Sequence, residues 1–222
     1  MPTRYDLALI LDFLEGLSDH NNKPWFEGHR PAYEAARSEF FRFVDGLIDE
    51  FRLPDHLEGL TAKSCAARIF RDIRFSKDKS PCNTSLSVMI APGGWRSTRF
   101  GYYVALGPRG QSMTAGGLYR PSPEQLARFR QTMDQDATPF KKLIRAKAFV
   151  EAFGAVEGER LKTAPPGFDR QHPAIELLQL KQVTAVHRFA DRDVLGPEFF
   201  DRVVDVCQAM KPFLVYLEHV AG

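Results

Sequence analysis

The chain has 222 residues, 44% of them apolar and 26% charged, and its 30 Lys and Arg against 28 Asp and Glu leave a formal net charge of +2. That is enough apolar material for a cooperative core of about one or two domains, and the balanced charge excludes disorder of the whole chain, which combines low hydrophobicity with large net charge. Purely apolar runs such as residues 7–11 and 213–217 are far short of the ~18 residues a bilayer-spanning helix needs, so no membrane association is expected.

In chain order, Leu7, Leu9, Ile10, Leu11, Phe13, Leu14 and Leu17 recur at mixed three- and four-residue spacing and predict a mostly buried helix over 5–17, ended near Gly16. Residues 18–22 read as a polar turn, and Pro24 suits the first turn of a helix or a loop. A long amphipathic helix is predicted from about Ala32 to Phe51, with Tyr33, Ala36, Phe40, Phe43, Val44, Leu47, Ile48 and Phe51 on one stripe, stopped by Leu53 and Pro54. Its other face carries Glu34, Glu39, Asp45, Asp49 and Glu50. The period then changes. Residues 66–75, 85–91, 99–106 and 112–119 are short, rich in β-branched or aromatic residues, and bounded by Gly and Pro clusters. Short strands with tight connections predict an antiparallel meander, because parallel pairing needs long crossovers. Ser122 and Pro123 open a helix to about Asp134, and residues 137–153 continue helically. A Pro- and Gly-rich loop over 162–173 leads to a short helix near 174–180, an extended piece near 184–189 and a closing helix over 197–219. The predicted class is α+β, an antiparallel meander packed against flanking helices. One domain is expected over 1–222: helical in 5–52, mainly β in 61–121, mainly helical in 122–222.

Charge is uneven along the chain. Residues 61–110 hold nine basic groups (Lys63, Arg68, Arg71, Arg74, Lys77, Lys79, Arg96, Arg99, Arg109) and two acids (Asp72, Asp78), a local net of +7 that leaves the remainder at −5. Such a block faces either an external anion or the protein's own acids, and the acidic face of the long helix is the obvious internal partner. Its densest part is 68–81. In an extended conformation Arg68, Phe70, Asp72 and Arg74 share one face with Arg71 on the other; in a helical one the three arginines align. Either way two or more guanidiniums reach one anion, which each can grip as a fork. The candidate binding residues are therefore Arg68, Arg71, Arg74, Lys77 and Lys79, with Trp25 and the Gly116-Gly117 strand as walls. The purely structural alternative is an ion-pair lattice, with Arg71 or Arg74 on Asp72 and Lys77 on Asp78.

This stretch, with Asn22-x-x-Trp25-Phe26, Gly101-Tyr102-Tyr103-Val104, Ala115-Gly116-Gly117-Leu118-Tyr119-Arg120-Pro121, Leu161-Lys162-x-x-Pro165-x-Gly167-Phe168 and His172-Pro173-x-x-Glu176-Leu177-Leu178-x-x-Lys181, resembles the conserved hypothetical protein family catalogued as domain of unknown function 2461. The resemblance covers residues 13 to 189. Where the family more often carries Tyr-Lys after the Lys-x-Pro turn, this chain has Cys82-Asn83, one potential donor fewer. The resemblance supplies an identity and no activity.

Other chemistry is thinly represented. The glycines over 107–117 lack P-loop spacing, no GxGxxG follows a strand, and no GxSxG elbow occurs. His20, His29, His56, His172, His187 and His219 show no HxxxH or HxH pairing, so neither a metal nor another cofactor is expected. Cys65, Cys82 and Cys207, odd in number and without CxxC, predict buried structural thiols in a reducing, cytoplasmic compartment, and residues 1–6 do not read as a secretory signal. The first functional expectation is a binding module for a small phosphorylated or carboxylated ligand. A hydrolase or transferase acting on a phosphate ester, with Asp72, Asp78 or His172 as base, is one alternative. Protein or nucleic-acid binding by the basic face is another, and the near-neutral total charge disfavours nucleic acid. The oligomeric state stays open.

Overall fold

A computed structural model describes residues 5–52 and 55–222; the helix stop expected at Leu53 and Pro54 lies outside the described residues. Helix α1 (Leu7–Asp19) starts where the Asp6 carboxylate accepts the Leu9 N–H at 3.2 Å. It passes through Gly16 and does not stop there, because the bare Cα seats the Trp25 ring: a Cβ would come within 2.9 Å of it. Asn22 caps α2 (Lys23–Gly28) by accepting from the Trp25 N–H, and α3 (Arg30–Phe51) buries the predicted stripe from Ala36 to Phe51. The short α4 (Ala62–Cys65) is held by a reciprocal Thr61–Ser64 capping box.

The sheet follows. Strands β1 (Leu86–Ile90), β2 (Tyr102–Leu106), β3 (Ser112–Leu118) and, far later, β4 (Val183–Phe189) run in the order β1-β2-β3-β4 as one antiparallel sheet. Leu86 faces Leu106 and Ile90 faces Tyr102. Between β3 and β4 come α5 (Pro123–Asp136), α6 (Thr138–Ile144), α7 (Lys147–Phe153) and α8 (Ile175–Leu178); α9 (Asp191–Val194) and α10 (Phe199–Ala221) end the chain. Ser122 caps α5 in a box with Gln125, as its position before Pro123 leads one to expect. The stretch 137–153 is two helices, because Ala146 adopts an extended conformation between them. No helix among the described residues is long and apolar enough to cross a membrane.

One predicted strand is absent. Residues 66–75 make only isolated bridges, Ala66 to Val88 and Phe70 to Cys82. Three residues lie between Ala66 and Phe70 and five between Cys82 and Val88, so the 82–88 side carries two extra residues and a regular ladder cannot form. The fourth strand of the sheet is β4 instead.

The chain forms two compact units: residues up to Ser97 with Tyr102–Thr114 and Arg188–Val204, and Thr98–Gly101 with Ala115–His187 and Asp205–Gly222. The first has Phe43 at its centre, stacked on Phe199 at 5.7 Å and meeting Tyr5 edge-on at 5.3 Å. The second closes around Phe140, which contacts Phe129 at 5.4 Å and Phe213 at 6.0 Å.

Within the first unit Asn21 ties the α1–α2 turn to the irregular 66–88 region. Its Nδ2 donates to the Cys82 carbonyl at 2.9 Å and its Oδ1 accepts the Cys82 N–H at 3.1 Å. Asn21→Ala leaves both partly buried backbone groups unsatisfied and is expected to cost about 1–3 kcal/mol in urea denaturation.

Candidate ligand-binding cleft

The irregular segment builds one wall of a cleft. Ala67 N–H donates to the Ser87 carbonyl, Asn83 N–H to Ile69 and Arg71 N–H to Pro81, each at 2.8–2.9 Å, so the backbone is anchored although it forms no strand. Ile69 is buried while Arg68 and Phe70 are exposed. The opposite wall is the turn after β1. Gly94 N–H donates to Ala91, Ser97 N–H to Gly94, and the Ser97 hydroxyl to Pro92 at 2.7 Å. Gly94 has φ +68° and lies so close to α4 that a Cβ would come within 2.5 Å of the Ser64 carbonyl oxygen. This packing fixes Trp95 and Arg96. Between the walls is a cleft of about 840 Å³, lined by Arg68, Phe70, Arg71, Asp72 and Asn83 on one side and by Gly93, Trp95 and Arg96 on the other, with Ser64, Ala66 and Ala67 completing it.

The basic groups divide by what the fold uses. Arg74 grips Asp72 bidentately, Nε to Oδ1 at 2.9 Å and Nη2 to Oδ2 at 2.6 Å, and lies outside the cleft lining. Lys79 donates to the Ile73 carbonyl at 3.0 Å. Arg71 lines the cleft but is shared: it pairs with Asp78 and donates to the Ser80 carbonyl at 3.2 Å. Arg99 holds Glu218 at 2.9 Å and Arg109 holds Asp19 at 2.7 Å. Among the described residues the side chains of Arg68 and Arg96 have no hydrogen bond or ion pair, and both line the cleft; Lys77 is also unpaired but lies outside it.

The expected pairing of this block with the acidic face of α3 does not occur. Glu39 is taken by Arg42, Asp49 by Arg52, and the Asp45 carboxylate accepts the Ala62 N–H at 2.7 Å. These three acids have a partner nearby on their own helix turn or at the α4 N-terminus, which costs less ordering than reaching a distant side chain.

Trp25 is elsewhere in the first unit, its indole stacked on His29 at 3.9 Å, and is not part of the lining. Gly116 and Gly117 also lie outside it. They permit close packing: a Cβ on Gly116 would meet Met210 Sδ at 2.5 Å, and one on Gly117 the Val183 carbonyl at 2.3 Å.

The acids at the cleft stay ionised. Asp78 is drawn down to about 2, first by the Ser80 N–H (2.9 Å), then by the Ser80 hydroxyl and by Arg71; Asp72 is lowered by Arg74. A depressed carboxyl stabilises the folded turn fully above its ordinary value of ~3.9 and loses that contribution as pH falls toward its folded value. The Ser80 amide resonance is therefore expected to titrate with a midpoint near 2, well below a free Asp, in an NMR pH series. Carboxylates held this way are weak bases. His172 accepts the Ala174 N–H on Nδ1, sits 3.4 Å from Asp134, and does not line the cleft. Burial pushes the Cys65 thiol up to about 11 and also raises Cys82, so neither is an activated nucleophile. Among the described residues no three His, Cys, Asp or Glu side chains gather as a metal site.

The family model for the conserved hypothetical protein DUF2461 matches residues 9–216. The chain belongs to this family. No curated protein and no solved structure matches it. In this DUF2461 chain Asn83 Nδ2 donates to the Arg68 carbonyl at 2.9 Å, tying the backbone of that arginine to the 82–88 segment. Phe70, Asn83, Trp95 and Arg96 line the cleft without having been among the predicted binding residues. One signal for the last two was available, since a hairpin turn needs neither a tryptophan nor an arginine directly behind two glycines.

Proposed function

We propose that the cleft binds a small anionic ligand, phosphorylated or carboxylated. The observation that carries the reading is the pair of unpartnered guanidiniums, Arg68 and Arg96, lining one concave site together with Arg71. An exposed guanidinium is already hydrated, so the fold neither gains nor loses much by it; an anion between two of them gains charge-assisted forked bonds of about 1.5–3 kcal/mol each. After the costs of association, Kd values of about 1 μM to 1 mM follow for a ligand of few atoms. The buried, unbridged Cys65, Cys82 and Cys207 support a reducing, cytoplasmic setting.

The test is a thermal melt in inorganic phosphate against chloride at equal ionic strength. At ten times Kd the midpoint is expected to rise by about 3 °C or more. Equal midpoints in the two salts would contradict the proposal.

A further inference from the structure

The same cleft exposes two aromatic rings as well as two cations. We infer that the anion's carrier is a planar aromatic ring, and that the ligand is a nucleoside monophosphate, its phosphate on Arg68 and Arg96 and its base against Trp95 and Phe70; this rests on reading the cleft as an anion site. Trp95 is 44% exposed and has no ring partner among the described residues, and Phe70 is 51% exposed with Phe26 on it at 5.1 Å. The backbone under both rings is anchored before any ligand arrives. The Phe70 backbone is bridged to Cys82, which Asn21 clamps, and the Trp95 turn is locked onto Ser64 through Gly94. A ring on an anchored backbone has only its own side-chain torsions left to order when a base stacks on it, and such stacking is worth about 1–3 kcal/mol per base.

The polar remainder fits the same class. Asp72, kept ionised by Arg74, is an acceptor-only group on the wall, suited to ribose hydroxyls or an exocyclic amine. The volume of about 840 Å³ lies within the ~300–1,000 Å³ of single small-molecule sites. A strand-binding groove would need a continuing basic track, whereas Arg74 and Lys79 are tied to local acceptors outside the cleft and Lys77 is the unpaired cation left in 74–79.

Calorimetric titration of the whole protein with the four nucleoside 5′-monophosphates, ribose 5-phosphate, inorganic phosphate and a mixed-sequence 20-mer oligonucleotide tests this. At least one monophosphate is expected to bind tenfold or more tightly than ribose 5-phosphate, and Trp95→Ala to remove that advantage while changing ribose 5-phosphate affinity less than twofold. Trp95→Leu, which keeps apolar bulk at an exposed position, is expected to behave like Trp95→Ala. Equal affinity for ribose 5-phosphate and all four nucleotides, unchanged by either variant, overturns the aromatic ligand and leaves the anion site standing. Oligonucleotide binding tenfold tighter than every monophosphate, falling steeply with salt, overturns it in favour of a strand. No binding of any phosphate removes both readings.

Discussion

Alanine at both Arg68 and Arg96 is expected to weaken phosphate binding by about 100-fold or more and to leave the melting point of the ligand-free protein within about 2 °C of the parent. The two halves of this result have separate causes. Two lost charge-assisted contacts of about 1.5–3 kcal/mol each set the binding loss. The unchanged melting point follows because neither guanidinium is paired within the fold, and surface changes away from packing, caps and networks usually stay within about 0.5 kcal/mol. Alanine at Arg74 is the counterpart: it removes an ion pair on the surface and is expected to leave phosphate affinity within about twofold. Isothermal titration alongside scanning calorimetry reads both quantities on the same samples. A large loss of ligand-free stability in the double variant would show that these arginines serve the fold.

The second large effect is expected at Gly94. An alanine there meets two penalties, a φ of +68° and a Cβ placed 2.5 Å from the Ser64 carbonyl oxygen, so the turn must leave α4. Conformational strain of this kind costs about 1–3 kcal/mol before the clash is counted. Because Trp95 and Arg96 ride on that turn, Gly94→Ala is expected to lower stability by about 2 kcal/mol or more and to abolish cleft binding at temperatures where the protein is still folded. Gly93 is the control. Its φ of +93° brings the same kind of strain, but a Cβ there meets nothing nearer than 3.8 Å. Gly93→Ala should therefore destabilise less and retain measurable phosphate binding, and equal behaviour of the two variants in urea melts and titrations would show that contact with Ser64 does not hold the turn.

The helices are legible in the sequence because burial of one face leaves a 3.6-residue period that short-range statistics expose: the stripe from Ala36 to Phe51 is buried in α3, and Ser122-Pro123 opens α5. The α+β class and the antiparallel pairing are legible for a similar reason, since tight Gly and Pro connections leave no room for crossovers. The failures are physical too. Residues 66–75 have strand composition, but the two extra residues between Cys82 and Val88 break the ladder, and Arg68 and Arg71 both line the cleft where a regular pleat would send them to opposite faces. The block's positive charge is readable from composition, yet its local pairing is not: Arg74 closes on Asp72 two residues away, a turn geometry with no periodic signature. The cleft itself is a tertiary object. Its walls, 64–72 with Asn83 and 93–96, come together only because β1 folds back beside the irregular segment and Gly94 seats on Ser64. Trp95 and Arg96 are thus hidden in what reads as punctuation between strands.

On the proposed reading the guanidiniums of Arg68 and Arg96 are left for an external anion, and a crystal structure grown in phosphate would show where they turn. One phosphate is expected in the cleft within hydrogen-bond distance of both side chains, with Arg71 still on Asp78; both guanidiniums turned onto protein carboxylates, with the cleft holding only water, would overturn the anion site.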